Sequence, residues 1–438
     1  MRVHPACFAA FFALVGWTLP SLAAPGCPAP SFADTVAGCS DLIRGRKLSG
    51  ATLGTAYYNR GFALQSLSAF KDAISDFSAA IKLNPKNAAA YNNRGYLLAM
   101  TGDLDGGLRD LNEAIKLDPS MIHAFNNRAM LFKTRREWDL AIADYDAAIR
   151  LKDPKAAVVY SNRAFAYQSK GDGDRAILDY SEAIKLDPQD VNSLSNRGVL
   201  YAEKGHHDQA MADFDEAIRR DPKSLPALVN RGFARYKKGE IDLAIADYDA
   251  AIAIDPRIAK LFHNRALAYM AKNNLPRAIA DFGEAIKLNP KDAAAYNNRG
   301  VAYRAKGDTD RAIADFTKAI EIDPKYADAW NSRCFARALA GQLEQALKDC
   351  DTSLNLRADD ANMLDSRALV YLKLNDLDKA IADYDAALMR NPKLARSLYG
   401  RGIAKQKKGD SAGGNADITA AKSMNEKIAE TFSGYGVK

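Results

Sequence analysis

The sequence predicts an all-α protein in which about eleven helix–turn–helix repeats are stacked along the chain. Three observations support this: a period of 34 residues, two amphipathic helical stripes in each period, and turn residues where each helix should end. A single repeat of this size cannot bury its own apolar face, so neighbouring repeats must stack. The 438 residues therefore represent repeats of one motif rather than several unrelated domains.

The period is marked by a proline that follows Asp or Asn near the end of each repeat. These prolines are Pro85, Pro119, Pro154, Pro188, Pro222, Pro256, Pro290, Pro324 and Pro392, and one repeat has Ala358 instead. The single interval of 35 residues has its extra residue in the loop before Pro154. The predicted repeats are 54–87, 88–121, 122–156, 157–190, 191–224, 225–258, 259–292, 293–326, 327–360, 361–394 and 395–428.

Two helices are predicted in each repeat. Apolar or small residues at positions 4, 8 and 11 form one stripe with helical spacing, and those at 20, 24, 27 and 28 form another. Glycine at position 15 ends the first helix in seven repeats, and the Asp/Asn-Pro pair ends the second. The glycines are Gly102, Gly171, Gly205, Gly239, Gly307, Gly341 and Gly409.

This pattern resembles the tetratricopeptide repeat (TPR). The shared features are the 34-residue period, Gly or Ala at position 8, Ala at 20, an aromatic at 24, Ala at 27 and Pro at 32. Position 8, 20 and 27 side chains must be small because the two helices cross there. The resemblance implies an α-α superhelix, a TPR solenoid, whose concave wall is lined by the first helices, and it implies a protein or peptide as partner.

The segments outside the repeats predict export and capped ends. Residues 1–24 read as a secretory signal peptide, with a charged start, an apolar run and Ala23-Ala24 for cleavage. The expected location is periplasmic or secreted, as in bacterial exported proteins with Asn-Arg-Gly/Ala repeats, without stable membrane insertion. Lipid anchoring at Cys27 stays open as an alternative. Residues 25–53 should contain a capping helix, and 429–438 form a short tail.

At the C-terminal end of the array, repeat eleven carries Gly413, Gly414 and Lys422 where apolar or small residues are expected. These residues indicate an end that frays or that serves as a solubilising cap.

Charge and cysteine content narrow the possible functions. The formal net charge of +7 is spread along the chain without a basic block, so no nucleic-acid partner is expected. The cysteines of the mature chain form two local pairs, Cys27 with Cys39 and Cys334 with Cys350. In an oxidising compartment both pairs are predicted disulfides, with a buried pair of free thiols as the alternative at Cys334 and Cys350. The sequence shows no metal-ligand spacing and no cofactor motif.

Arginine at position 7 and aspartate at position 23 are present in every repeat. Tetratricopeptide repeats usually have an apolar residue at position 7, so a guanidinium beside the packing stripe needs a carboxylate within reach. We predict structural ion pairs, within or between repeats, that set the register of packing more than they add stability. The residues are Arg60, Arg94, Arg128, Arg163, Arg197, Arg231, Arg265, Arg299, Arg333, Arg367 and Arg401, with Asp76, Asp110, Asp144, Asp179, Asp213, Asp247, Asp281, Asp315, Asp349, Asp383 and Asp417.

Asparagine at position 6 forms a second row, which we call the asparagine row. It consists of Asn59, Asn93, Asn127, Asn162, Asn196, Asn230, Asn264 and Asn298, and it ends where Ser332, Ser366 and Gly400 follow. A side-chain amide can donate to and accept from a peptide group, so the row predicts binding of an extended partner segment. It resembles the asparagine row in the superhelix of protein O-linked N-acetylglucosamine transferases. The alternative is that the amides bond to backbone or to a neighbouring arginine.

These features predict a non-enzymatic scaffold in the bacterial envelope that holds an extended partner segment along its concave groove. The sequence contains no phosphate-binding glycine loop, nucleophile elbow or acid pair outside the repeat pattern. Two alternatives remain: a structural solenoid that self-assembles, and a non-catalytic subunit of an envelope enzyme complex. The oligomeric state and the partner's identity do not follow from the sequence.

Overall fold

The computed structural model describes residue 27 and residues 31–45, 48–152 and 156–437, which form twenty-four α-helices and no strand. The predicted signal peptide and the loop at Pro154 lie outside these residues. The helices are α1 (Phe32–Arg44), α2 (Gly50–Ser66), α3 (Phe70–Leu83), α4 (Ala88–Met100), α5 (Leu104–Leu117), α6 (Ile122–Thr134), α7 (Trp138–Arg150), α8 (Ala157–Ser169), α9 (Gly173–Leu186), α10 (Val191–Glu203), α11 (His207–Arg220), α12 (Leu225–Lys238), α13 (Ile241–Ile254), α14 (Ala259–Ala271), α15 (Leu275–Leu288), α16 (Ala293–Ala305), α17 (Thr309–Ile322), α18 (Ala327–Leu339), α19 (Leu343–Leu356), α20 (Ala361–Lys373), α21 (Leu377–Arg390), α22 (Ala395–Lys407), α23 (Ser411–Met424) and α24 (Ile428–Gly434).

Helices α2 to α23 form eleven antiparallel pairs, one for each repeat, so the all-helical repeat fold expected from the sequence is confirmed. In repeats two to eleven the first helix begins at the first residue of the repeat, whereas α2 begins at Gly50, four residues before Gly54. Helix α1 packs on α2, and Cys27, Cys39 and Ala56 form a small apolar cluster between them.

The turn inside each repeat depends on one left-handed residue at position 15. The seven glycines predicted there all have positive φ, for example +102° at Gly102. Ser68, Arg136, Asn273 and Asn375 take the same conformation in the other four repeats. The following amide then bonds back into the helix, as Asp103 N does to Leu98 O at 2.9 Å, which satisfies carbonyls at the helix end. Aspartates such as Asp103 begin the next helix by accepting a bond from its third backbone N–H.

Close helix crossing explains the small residues at position 8. A Cβ atom added at Gly198 would lie 2.7 Å from the Phe214 ring, and one at Gly300 would lie equally close to the Phe316 ring. Both rings are fully buried at position 24. A larger side chain at position 8 would therefore push the two helices of the repeat apart.

The chain divides into two compact halves, Met1–Ala227 and Leu228–Lys438, which we call the N-terminal and C-terminal halves. Within each half, consecutive first helices contact one another, as α4 does with α6 and α18 with α20. Elements on the inner side of a curved stack approach most closely, so the first helices line the concave face of each half. None of the helices in the described ranges is long and apolar enough to cross a membrane.

Repeat eleven forms two regular helices despite Gly413 and Gly414. Its end is covered by α24, whose Ile428 and Phe432 are 1% and 2% exposed. Val437 is also buried in this apolar cluster. The tail predicted as residues 429–438 is therefore a folded part of the C-terminal half up to Val437.

Candidate functional site

The arginine and aspartate rows meet in the same way in every repeat. The guanidinium of position 7 makes two parallel bonds to the carboxylate of position 23 in its own repeat, Nε to Oδ2 and Nη2 to Oδ1. The donor–acceptor distances are 2.6 to 3.1 Å in all eleven pairs. Every one of these aspartates is buried. The pairs thus join the two helices of one repeat with the geometry that suits arginine and not lysine.

The remaining nitrogen of the same guanidinium joins neighbouring repeats. In repeats 2 to 5, 7 and 9 to 11, Nη1 donates to the side chain at position 25 of the preceding repeat, and Arg60 donates to Ser40 of α1, at 2.5 to 3.1 Å. The position-25 acceptors are Ser78, Asn112, Asp146, Ser181, Asp249, Thr317, Asp351 and Asp385. Repeat eight differs, because Gly283 stands at the acceptor position and has no side chain to offer Arg299.

In nine of the eleven repeats, an aromatic ring at position 4, at position 11 or at both lies beside the position-7 arginine. The Arg299 guanidinium carbon lies 5.6 Å from the Tyr296 ring centroid and 5.8 Å from that of Tyr303. The hydrogen bonds that Arg299 donates to Asp315 raise the pKa of Arg299 further above its usual value. The two bonds to Asp315 and the two rings show that the Arg299 side chain is engaged mainly in packing the repeat.

In three repeats, position 11 carries a cation in place of an aromatic or apolar residue. Arg235, Arg337 and Lys405 each form a second salt bridge to the position-23 aspartate, at 2.7 to 2.9 Å. Asp349, for example, accepts bonds from both Arg333 and Arg337 and is only 2% exposed.

The asparagine row lies on the first helices, but its members are not equally accessible. Asn59, Asn93 and Asn127 are buried, at 4%, 2% and 8% exposure. The five later members are half-buried: Asn162 and Asn196 in the N-terminal half, and Asn230, Asn264 and Asn298 in the C-terminal half. A partner chain can therefore reach only the later members without a rearrangement of the first three repeats.

Several amides of the row bond to the preceding repeat. The Nδ2 groups of Asn93, Asn127 and Asn162 donate to Tyr58 Oη, Asn92 Oδ1 and Asn126 Oδ1, and Asn298 Nδ2 contacts His263 Nε2, over 2.9 to 3.4 Å. All four partners stand at position 5 of the repeat before. The partners differ from the backbone and arginine groups that we considered as the alternative to peptide binding.

These contacts use only part of each amide. An asparagine side chain has two N–H donors and two acceptor lone pairs, and one bond to position 5 leaves a donor and the acceptor oxygen. At the half-buried positions these groups can serve a peptide backbone. At Asn162 and Asn298 the contact with position 5 also holds the amide in one orientation, so less side-chain entropy is lost when a ligand binds.

A lysine adds one unpaired cation to the concave face of the N-terminal half. The Lys133 ammonium group lies 5.3 Å from the Phe165 ring centroid. Burial lowers the pKa of Lys133, and in the described ranges its side chain forms no salt bridge or hydrogen bond. It is a donor available to a partner's carbonyl or carboxylate oxygen next to Phe165, which follows Asn162 by three residues on α8.

The two cysteines of each predicted pair lie close together in space. Cys27 and Cys39 have their Cα atoms 5.3 Å apart, and so do Cys334 and Cys350. All four side chains are buried. This separation is in the usual range for a disulfide, and the second pair bridges α18 and α19 at the helix crossing of repeat nine.

Sequence reasoning missed the groups that connect the repeats. Position 25 is a hydrogen-bonding residue in ten of eleven repeats, a pattern visible in the sequence whose meaning depends on which repeat the side chain faces. Lys133, and Tyr435, which contacts Phe335, do not belong to any pattern that recurs from repeat to repeat. In the described part of the chain, no group of His, Cys, Asp or Glu side chains is arranged to hold a metal ion.

Comparisons with known proteins agree with the repeat assignment. Models described as "Tetratricopeptide repeat" match residues 54–122, 263–327, 191–224 and 361–394, and a model described as "TPR repeat" matches 166–205 and 232–273. No curated protein matches the chain.

Similar solved structures include the APC/C hetero-tetramer Cut9–Hcn1, with 18% identity, 85% of this chain and 80% of that chain covered, and a TM-score of 0.48. Yeast Tom70 has 14% identity, 87% and 94% coverage, and a TM-score of 0.39. MamA has 30% identity over 37% of this chain and 96% of its own, with a TM-score of 0.36.

Proposed function

Because this chain belongs to the tetratricopeptide repeat proteins, we propose that it is a non-enzymatic protein-interaction scaffold that binds an extended partner segment on its concave faces. The family fold itself suggests protein–protein interaction. The finer proposal depends on one observation: half-buried position-6 amides recur once per repeat from Asn162 to Asn298.

A periodic row of amides suits a partner backbone rather than particular side chains. Each half-buried asparagine offers one donor and one acceptor, as one residue of an extended chain does. In the N-terminal half, Lys133 adds a cation next to Phe165 of α8 that can bind a carbonyl oxygen or an acidic side chain. Asn59, Asn93 and Asn127 are buried, and the last two bond to the preceding repeat. We therefore place the proposed binding surface of the N-terminal half on repeats four and five, and that of the C-terminal half on repeats six to eight.

The proposal includes a location outside the cytoplasm, in the periplasm or secreted from a bacterium. Residues 1–24 have the pattern of a signal peptide, and both cysteine pairs have Cα separations compatible with disulfides, which form in oxidising compartments. On export from a Gram-negative host, the mature protein should begin at Pro25. Retention of Met1 in a cytoplasmic fraction would contradict this location.

Photo-crosslinking tests the binding surface. A crosslinking amino acid replaces Val199, which is half-buried at position 9 of the concave face, or Leu178, which is 66% exposed on the second helix α9. We expect crosslinked partner from envelope extracts with the first protein and little with the second. Sequencing the crosslinked peptide should identify one extended or disordered segment.

Substitution of the row then tests its role. With that segment as a purified peptide, the double variant Asn162→Ala, Asn196→Ala should bind at least about tenfold more weakly, because each lost hydrogen bond contributes about 1 kcal/mol. Helical content should stay unchanged, and the melting temperature should fall only slightly, because Asn162 also donates to Asn126. Unaltered binding by the double variant would refute the role of the row.

A further inference from the structure

The C-terminal segment of the chain occupies the concave face of the last repeats. Tyr435 meets Phe335 of repeat nine, with ring centroids 5.3 Å apart and an angle of 89° between the rings. Phe432 packs 5.4 Å from Tyr435 and 4.9 Å from Tyr399 of α22. Tyr435 thus contacts a repeat that lies two repeats before the end, beyond what capping of repeat eleven requires.

A lysine donates a hydrogen bond to the backbone of this segment, an interaction that a bound peptide could also accept. Lys373 Nζ donates to the Tyr435 carbonyl oxygen at 2.8 Å and to the Ala338 carbonyl oxygen of α18 at 2.7 Å. Outside its own segment, Tyr435 therefore contacts the Phe335 ring, the Lys373 ammonium group, which donates to its main chain, and Arg396, which interacts with its side chain. None of these three contacts depends on Tyr435 belonging to the same chain.

Two arginines flank the same phenyl ring, and only one of them has a carboxylate partner. The guanidinium carbons of Arg304 and Arg396 lie 4.9 and 5.3 Å from the Phe335 ring centroid. Arg396 pairs with Asp365. Arg304 forms no salt bridge among the described residues, and its buried Nε has no hydrogen-bond partner there.

A half-buried guanidinium whose buried Nε has no hydrogen-bond partner is costly for the folded chain. Burial lowers the pKa of Arg304, and the neighbouring charge of Arg396 acts in the same direction. A carboxylate supplied from outside would remove this cost and form a charge-assisted bond. The described part of the C-terminal segment, up to Val437, supplies no carboxylate to Arg304.

We propose that the concave face of repeats eight to eleven is a second peptide site, whose ligand is a partner segment with an aromatic residue next to an acidic one. Tyr435 occupies the aromatic position until that segment displaces it. Arg304 and Tyr435 both contact Phe335, and successive residues of an extended chain are about 3.5 Å apart, so an acid one or two residues from the aromatic reaches Arg304. This inference deepens the proposed function and rests on it.

Fluorescence anisotropy with the full mature chain tests the site. The probe is a labelled peptide with a Glu-Tyr-Glu centre in a Gly/Ser background, and the control peptides have Gln-Tyr-Gln or Glu-Ala-Glu centres. We expect the probe to bind at least about tenfold more tightly than either control, because each control lacks one of the two required groups. Equal binding of all three peptides, or no binding of the probe, would overturn the proposal.

Protein variants separate the roles of the two residues. Arg304→Gln should weaken probe binding about tenfold, whereas Lys348→Gln, the same charge change at an exposed position of α19, should not. Tyr435→Ala should strengthen binding about threefold or more, because the internal competitor is removed. Tyr435→Phe keeps the ring and loses only the interaction of the hydroxyl group with Arg396, so its binding should lie between that of the wild type and that of Tyr435→Ala. Unchanged binding by both Arg304→Gln and Tyr435→Ala contradicts the proposal.

Hydrogen exchange on the wild-type chain covers the case in which Tyr435→Ala fails to fold. Saturating probe should speed exchange at Gly436 and Val437, whose amides bond to Ser433 and Phe432 carbonyls when the segment is seated. Unchanged exchange there would mean that the segment is not displaced. Asn162→Ala and Asn196→Ala should leave probe binding unaffected, so failure of the asparagine-row proposal and failure of this one give different results.

Discussion

Two regions of the chain, repeats three and four and repeats nine to eleven, share the same arginine–aspartate contacts but differ in their concave faces. In both regions the position-7 arginine donates two hydrogen bonds to its aspartate and a third to the side chain at position 25 of the preceding repeat. Repeats three and four present Asn162 and the unpaired Lys133. Repeats nine to eleven have no asparagine at position 6, and their face is covered by the chain's own C-terminal segment.

The difference shows that packing and recognition are separated by residue position. Positions 7, 23 and 25 maintain the stack, so positions 6, 9 and 12 are free to change from one repeat to the next. A partner-binding surface can therefore vary along the array at little cost to the fold. Variants in the two regions should therefore differ in stability only where their arginine–aspartate contacts or cysteines differ.

The largest effect is expected at Asp349. Asp349→Ala leaves two buried guanidiniums, Arg333 and Arg337, without a carboxylate, and should cost about 3–5 kcal/mol of unfolding free energy for the C-terminal half. Asp144→Ala in repeat three removes the partner of Arg128 alone and should cost less. Urea unfolding followed by circular dichroism measures both.

Glu284→Ala is the control for these two variants, because its pair with Lys287 is exposed and should contribute less than about 1 kcal/mol. If Asp349→Ala costs no more than Asp144→Ala, the second arginine of repeat nine contributes nothing and the comparison fails.

Repeat nine should also depend on its cysteine pair. A disulfide closing 16 residues stabilises by about 3 kcal/mol, so reduction should lower the stability of α18 and α19 by that amount, measured by hydrogen exchange with and without reductant. Repeats three and four, which lack cysteines, serve as the internal control and should not change. Labelling of Cys334 and Cys350 by an alkylating reagent in the unreduced, denatured protein would rule the disulfide out.

Adding the missing acceptor at position 283 should stabilise the fold, by less than the preceding aspartate substitutions destabilise it. Gly283→Ser should stabilise by roughly 1 kcal/mol, because serine favours the helix over glycine and its hydroxyl can accept from Arg299, as Ser78 accepts from Arg94. A Cβ at Gly283 meets only Arg299 Nη1, at 3.9 Å. Gly300→Ser, with a Cβ 2.7 Å from Phe316, should destabilise instead. The two melting temperatures should therefore move in opposite directions.

The smallest effect on stability is expected within the asparagine row. In the described structure Asn264 makes no side-chain hydrogen bond, so Asn264→Ala should change unfolding free energy by less than about 0.5 kcal/mol. Asn127→Ala removes a buried bond to Asn92 and should cost about 1 kcal/mol. Equal costs in thermal unfolding would show that burial does not divide the row into structural and accessible members.

The sequence by itself determined the repeat architecture, because the 34-residue period, the small residues at helix crossings and the turn at position 15 are local properties that recur. It also indicated that each Arg at position 7 needs an acid. Tertiary structure alone decided that the acid comes from the same repeat and that the third guanidinium bond goes to the repeat before, since these depend on the angle between helices.

Only the tertiary structure decided the character of the concave faces. The eight asparagines stand at the same position of their repeats, yet the first three are buried and the other five are half-buried. The path of the C-terminal segment depends on Phe335 and Lys373, which are about 100 and 62 residues away along the chain. Such contacts between distant residues have no period, and pattern analysis detects only what repeats.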